Sequence, residues 1–429
     1  MREMKDSGVE WIGEIPLDWQ VRKIKHLATL AGRIGWQGLT SNEYEDEGAY
    51  LITGINFNNG KIDWESCVHV SEQRWEEASQ IQIKNGDLLI TKDGTIGKVA
   101  IVENMPGKTS LNSGVLLVRN SEECNTRFLY WVMQSEVFWK WFGIINAGNS
   151  TILHLYQQSF YNFSFPFPIL SQQVKIADYL DVKCSKIDEI IKKQQAIIEK
   201  LKEYKLSIIT EAVTEGINFD VKMKDSNIDM CEQIPEHWNV SQNRYLFSLR
   251  DEKNYKPLEE VRLLSLYTDL GVFPHGEQEE RGNKAVKAEG YKVVYEDDIV
   301  VNIILAWMGA IGRSAYDGVT SPAYDIYKPN ENVCSRYYHY LYRTKPFSAE
   351  CYKYGRGIMA MRWRTYSSEF KSIKVPVPPY VEQCQIADYL DRKCELLDKT
   401  IADRNKAIDK LQGYKKSLIY EVVTGKKEV

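Results

Sequence analysis

Leucine and isoleucine recur every seventh position in two stretches of the chain, at Leu180, Ile187, Leu201 and Ile208 and again at Leu390, Leu397, Leu411 and Leu418. Ile190, Ile191, Ile197, Ile198 and Tyr204 widen the first stripe, and Ile401, Ile408 and Tyr414 widen the second. A seven-residue apolar period predicts a helix whose seam meets another helix. No Gly or Pro interrupts Gln173 to Thr214, and only Gly413 interrupts the second copy. Each stretch therefore reads as one helix of roughly 42 residues, about 63 Å at 1.5 Å per residue. Such a stripe must be buried, and its equally amphipathic copy is the cheapest partner, which predicts an intramolecular antiparallel coiled coil. Gln194 and Arg404 interrupt the apolar phase at equivalent mid-helix places. A polar residue at a core position sets coiled-coil register, whereas a snorkelling side chain does not, and the pattern leaves both readings open.

The two stripes belong to a tandem duplication with a period of about 210 to 219 residues, far longer than any solenoid unit. Met4-Lys-Asp-Ser7, leading to Ile15, Pro16, Trp19 and Val21, returns without gaps as Met223-Lys-Asp-Ser226, Ile234, Pro235, Trp238 and Val240. The ends match more closely. Pro166 and Pro168, Gln173 and Ile176-Ala-Asp-Tyr-Leu-Asp181 return as Pro376 and Pro378, Gln383 and Ile386-Ala-Asp-Tyr-Leu-Asp391. Both copies then run on to Glu211-x-Val213-Thr214 and Glu421-x-Val423-Thr424. The interiors, about 20–160 and 240–370, share only punctuation such as Asp87-Leu-Leu-Ile90 with Gly94 and Gly97 against Asp298-Ile-Val-Val301 with Gly309 and Gly312. Each is an apolar strand followed by a Gly-bounded turn. The expected organisation is α+β, a pseudo-twofold repeat with globular domains at 1–168 and 217–378 and long helices at 169–216 and 379–429.

Composition narrows the function. With 429 residues the chain can hold two cores. Lys+Arg 55 against Asp+Glu 59 gives a net charge of −4, so any nucleic-acid contact must be local rather than a general basic coat. No apolar run approaches the ~18 residues of a membrane span and the start has no signal-type core, so a cytoplasmic location is expected. The 8 cysteines show no zinc or disulfide spacing and read as core thiols.

Taken together, domain, Pro-x-Pro, Gln-x-x-Ile-Ala-x-Tyr-Leu-Asp and long helix, all present twice, resemble the specificity subunit of type I restriction-modification enzymes. The opening Lys5-Asp-Ser-Gly-Val-Glu-Trp-Ile-Gly-Glu-Ile-Pro-Leu-Asp-Trp19 is similar to starts common in that family. One departure is Ser171-Gln172-Gln173, where Glu-Gln is usual, as at Glu382-Gln383. The resemblance implies two target recognition domains that each read half of a split double-stranded DNA site, held apart by paired helices conserved in the family and acting as a ruler. It also implies docking of two methyltransferase (modification) subunits and of restriction/translocase subunits. S-adenosylmethionine, ATP and Mg would sit on those partners, with no cofactor or metal on this chain and no membrane partner. Tyr179, Asp181, Tyr389 and Asp391 of the duplicated block are the expected methyltransferase-docking residues.

Base reading needs side chains that reach base edges from a rigid frame, supported by groups on phosphates. The most basic stretch carries Arg356, Arg362 and Arg364 among Gly and aromatic residues. Its counterpart substitutes Asn149 and Ser150, which can donate to bases or simply make a turn. Arg33 and Trp36 follow an apolar strand, Lys92 and Lys98 bracket the Gly94–Gly97 turn, and Arg281 and Arg313 occupy loops of the second domain. All eleven are candidate DNA contacts. Catalytic signatures are missing. Val377-Pro-Pro-Tyr380 resembles the amine-holding loop of an amino-methyltransferase, but valine cannot accept the amine's hydrogen bonds. Gly94-Thr-Ile-Gly97-Lys98 lacks the spacing of a phosphate loop. Two other classes stay open on residues alone: a DNA methyltransferase or nuclease with unfamiliar motifs, and a coiled-coil adaptor that binds proteins.

Overall fold

The computed structural model describes the chain except residues 1, 36–37, 148–152, 219, 269, 277–286 and 358–362. Its backbone forms two compact units, Met1–Gln194 with Asn405–Val429, and Gln195–Arg404. The two long helices are continuous at Leu170–Thr214 and Tyr380–Val423, and Gly413 does not break the second. Each helix passes from one unit to the other at Gln194 or Arg404, both half-buried. The compact units therefore cut across the four sequence blocks. An amphipathic helix buries its stripe wherever apolar surface is offered, and here part of that surface belongs to a globular domain.

The first unit is built on an antiparallel sheet ordered Val99–Ile101, Leu88–Thr91, Val115–Asn120, Ala28–Gly32. The second repeats that order with Ile311–Arg313, Ile299–Asn302, Tyr324–Pro329 and Phe247–Arg250. The apolar runs after Asp87 and Asp298 are thus the same strand of the same hairpin, fully buried along their length. Both aspartates are buried and hold an arginine, Arg119 at 2.6 Å and Arg250 at 2.8 Å. These arginines come from different strands, so the pairing is equivalent but not inherited position by position. Each domain closes by pairing its entry and exit strands, Gln20–Lys23 with Ser164–Phe167 and Asn239–Gln242 with Lys374–Val377. Two helices follow each sheet, Thr126–Gln134 and Glu136–Ile145 in the first unit, Ser335–Leu341 and Lys345–Tyr354 in the second. The domains diverge in their additions. The first carries a mixed sheet of Thr109–Leu111, Ala49–Ile52 and Val68–Val70, the second the pairs Leu264–Tyr267 with Gly271–Pro274 and Lys292–Val294 with Gly318–Thr320.

Helix ends complete both cores. In the first unit Leu418, Ile419, Val422 and Val423 of the second long helix share one cluster with Ile12, Ile15, Trp19 and Phe128. Gly425 follows at φ +73, and a Cβ there would lie 2.4 Å from Pro16 Cγ. The second unit does the same with Ile208, Ala212 and Val213 of the first long helix against Ile234 and Trp238, and Gly216 at φ +88 would place its Cβ 3.3 Å from Trp238 Cζ2. A left-handed residue just past the helix end is a common helix stop, and glycine takes it without strain. Thr214 and Thr424 are buried, each donating its hydroxyl to the carbonyl one turn back at 2.7 Å. That accounts for the Val-Thr of the repeated Glu-x-Val-Thr. Within the first unit Lys415 Nζ bonds Asp188 at 2.6 Å, and within the second Lys205 Nζ bonds Asp398 at 2.7 Å. The partner number falls from 415 to 398 as the first-helix number rises from 188 to 205, as antiparallel pairing requires. Among the described residues no helix is long and apolar enough to cross a membrane, and all eight cysteines are free thiols.

Candidate DNA interface

The duplicated block is a clamp that fixes each domain on its own long helix. Asp178 and Asp181, one helical turn apart, receive the two arms of Arg127 at 2.6 and 2.7 Å. Asp181 also accepts Trp131 Nε1 at 2.7 Å. In the second unit Asp388 and Asp391 receive Arg336 at 2.8 Å each, and Asp391 accepts the Tyr340 hydroxyl at 2.6 Å. The i, i+3 spacing puts both carboxylates on one helix face, where a planar guanidinium spans them. The hydrogen bond that Arg127 donates to Asp178 raises the pKa of its guanidinium. Gln173 and Gln383 lie at the helix starts, donating to Pro168 O and Pro378 O at 2.9 Å and accepting the backbone N–H of Asn125 at 2.8 Å and Cys334 at 2.9 Å. Ile176, Ala177 and Leu180, like Ile386, Ala387 and Leu390, are core.

Asp181 and Asp391, expected as docking groups, therefore spend their carboxylates inside the chain. Tyr179 and Tyr389 are half-buried, each with a lysine of the next helical turn against the ring, Lys183 at 5.7 Å and Lys393 at 5.8 Å. The clamp partners are partly exposed, so each unit's network is worth only ~1–2 kcal/mol. Arg336→Met is expected to lower unfolding free energy by that amount at low ionic strength and by less in molar salt, measured by urea denaturation at both salts.

The clamp orients one face of each domain, built from the tip of the central hairpin, the second of the two helices and the loop after it. In the first unit Gly94 and Gly97 turn at φ +67 and +81. Gly97 is required by packing, since a Cβ would meet the indole of Trp139 at 2.4 Å. Lys98 is exposed, its Nζ 3.3 Å from Gly54 O, and Lys92 is half-exposed. Lys92 O accepts the Leu155 N–H at 3.0 Å, which binds the loop to the hairpin tip. His154 Nδ1 lies 2.5 Å from Asp93 Oδ1. Trp139 and Tyr156 are exposed beside them.

In the second unit Thr365 N–H donates to Ile303 O at 2.8 Å, the same tie in the same place. Arg356 and Arg364 form a two-residue ladder through reciprocal backbone bonds of 2.8 and 2.9 Å. Arg356 extends into solvent, 78% exposed, with Nε 3.0 Å from the buried carboxylate of Glu369. Arg364 Nη1 donates to Trp363 O at 2.9 Å. Trp363 stacks on Tyr352 at 4.9 Å, forming a shelf beside the arginines.

Two expected contacts are placed elsewhere. Arg33 is buried, donating to Leu111 O at 2.8 Å and Ser110 Oγ at 2.9 Å, and burial lowers its pKa. It braces the interior of its domain. Arg313 is held by Asp297 at 2.5 Å and Glu296 at 3.4 Å, so its charge is answered within the chain. Its backbone N–H donates to His339 Nδ1 at 3.1 Å, and burial with Arg343 and Arg313 nearby depresses that imidazole to a pKa of about 3. Trp36, Asn149, Ser150, Arg281 and Arg362 lie outside the described residues. The exposed aromatics Trp139, Tyr156, Tyr352 and Tyr366 were missed because aromatic residues in a sequence read first as core. Among the described residues no three His, Cys, Asp or Glu side chains are grouped to hold a metal.

The family model described as Type I restriction modification DNA specificity domain matches residues 16–203. A Methanocaldococcus jannaschii protein named as the type I restriction enzyme MjaX specificity subunit is 27% identical over 97% of this chain and 95% of its own length. The type I restriction enzyme EcoKI specificity subunit of Escherichia coli is 23% identical over 47% of this chain and 44% of its own. Among solved structures, a chain from work on assembly and conformational transition of the type I R-M system superposes with a TM-score of 0.69 at 12% identity, covering 95% of this chain and 98% of that one. The HsdS subunit from Thermoanaerobacter tengcongensis superposes at 0.55 and 13% identity, covering 96% and 98%. With the doubled fold and the doubled clamp, the chain is similar to type I restriction-modification specificity subunits in sequence along nearly its whole length and shares their fold.

Proposed function

We propose that this chain is the DNA-reading subunit of a type I restriction-modification assembly, each unit reading one half of a bipartite duplex target, with methyltransferase and restriction subunits docked on the chain. The observation that carries this reading is the repeat itself: equivalent Arg–Asp clamps fix two domains that share a four-stranded sheet order, while the hairpin-tip faces they present differ in chemistry. Lys98 with Trp139 on one face and Arg356 and Arg364 with the Tyr352–Trp363 shelf on the other suit two different half-sites. The chain contributes recognition and no bond-making step. S-adenosylmethionine, ATP and Mg are assigned to the partners, and the complex works in the cytoplasm. Methylation profiling of cells with and without the protein should reveal one split motif that depends on it. Exchanging residues 20–160 for another family member's domain should alter one half of that motif, and alteration of both halves would sink the modular reading.

The helices supply the spacing in this reading. Seven residues inserted after Gln194 and seven after Arg404 preserve the apolar phase and add about 10 Å. The spacer between half-sites is then expected to grow by about three base pairs, read by methylation mapping on a library of spacer lengths. An unchanged spacer in a folded variant would refute the ruler.

A further inference from the structure

The stretch 153–168 aligns without gaps on 363–378, and four positions are identical: Tyr156 with Tyr366, Phe160 with Phe370, Pro166 with Pro376 and Pro168 with Pro378. Three of the four have an internal reason to persist. Phe160 and Phe370 are buried at 0% and 1%. Pro166 and Pro376 lie in the exit strands, opposite Val21 and Val240. Pro168 and Pro378 give their carbonyls to Gln173 and Gln383. The tyrosines have no such reason. Their side chains stand in solvent, 61% and 49% exposed, and among the described residues neither hydroxyl has a hydrogen-bond partner.

Their placement is nevertheless fixed twice over. Each tyrosine directly follows the residue whose N–H is tied to the hairpin tip, Leu155 to Lys92 O and Thr365 to Ile303 O. Each then starts a short helix, its own carbonyl accepting the N–H of Phe160 or Phe370 at 2.9 Å. Two domains that present different chemistry to different half-sites thus hold one identical phenol at one identical place on the presenting face. A side chain that reads a base must differ where the bases differ, whereas one that grips a feature common to all half-sites can stay the same. The feature common to every duplex is its sugar-phosphate backbone.

We infer that Tyr156 and Tyr366 are matched backbone anchors, each donating its phenolic O–H to a phosphate oxygen of its own half-site, at the corresponding phosphate in the two halves. The inference rests on the DNA-reading function proposed above and adds the residues that set how each domain seats on the duplex. Neighbouring groups are free to vary around the anchor: His154 lies beside Tyr156 with ring centroids 5.8 Å apart, and Arg364 occupies the aligned position before Tyr366.

The test uses the full chain with Tyr156→Phe, Tyr366→Phe and the double change, which keep the ring and remove only the hydroxyl. The probe is the duplex selected by the unaltered protein from a random library, together with copies carrying one neutral methylphosphonate at each backbone position in turn. Each single change is expected to weaken binding about fivefold to tenfold, and the double change by roughly the product of the two. The selected sequence should stay the same. For each tyrosine one methylphosphonate should weaken the unaltered protein and have little further effect on the Phe variant. Binding within twofold of the unaltered protein for both single variants would overturn the inference, as would a loss that depends on base identity or a variant that selects a different motif. If the unaltered protein selects no sequence at all, the recognition function itself fails, a result separate from selection followed by indifferent Phe variants.

Discussion

A chain ending at Gly216 is expected to fold as a dimer of about twice its own mass, because its single globular domain lacks the helix end that completes it. In the full chain Leu418, Ile419, Val422 and Val423 close the cluster around Ile15 and Trp19. In the shortened chain the available substitutes are Ile208, Ile209, Ala212 and Val213, which occupy the equivalent places in the duplication. They end a helix that starts on their own domain, so a second copy must supply them. Lys205 of one copy would then meet Asp188 of the other, as Lys415 does at 2.6 Å in the full chain. The substitute is imperfect. Tyr420 donates to Ile12 O at 3.0 Å and lies under Lys140 at 4.9 Å, whereas the duplication places Thr210 there. The dimer should therefore dissociate on dilution, and Thr210→Tyr should tighten it. Analytical ultracentrifugation over a concentration series reads both, and a stable folded monomer would contradict the shared-core account. Under the proposed function, the dimer would select an inverted repeat of the first half-site.

The second large effect is expected at the paired tryptophans. Trp238 is fully buried and closes over the end of the first long helix, as Trp19, 2% exposed, does for the second. Trp238→Ala should cost about 3–5 kcal/mol through lost burial and the cavity left behind. In hydrogen exchange the loss should concentrate at 208–216, and for Trp19→Ala at 418–425. Trp→Phe is the informative control. Among the described residues neither indole N–H has a partner although both are buried, so phenylalanine removes an unsatisfied donor together with some volume and should cost well under half as much. Equal losses for Ala and Phe would mean that the indole makes a bond the geometry does not contain.

The helices, the duplication and the matched hairpin could be read from the sequence because each leaves a periodic or repeated mark, and Gly94, Gly97 and Gly309 fall at left-handed turns as the punctuation implies. The role of the duplicated block could not be read in the same way. Repetition says that Asp181 and Asp391 do one job twice, but an internal clamp and an external dock repeat equally well. The partners Arg127 and Arg336 lie 54 and 55 residues away in sequence. Arg33 fails for a related reason: a sequence displays a charge but not the carbonyl that captures it. The heptad stripe also looks the same whether it faces another helix or the wall of a domain, which is why the boundaries at Gln194 and Arg404 were visible only as polar interruptions.

The division of each long helix between two units has a consequence for synthesis. The second unit is one uninterrupted span, Gln195–Arg404, and can close once that span has left the ribosome. The first unit begins at Met1 but needs Asn405–Val429. At about 5–20 residues per second, the exposed apolar surface around Trp19 must wait tens of seconds for the last turns of the chain. The domain translated first is thus the last to mature, and in that interval it is the part of the nascent chain most in need of protection from aggregation.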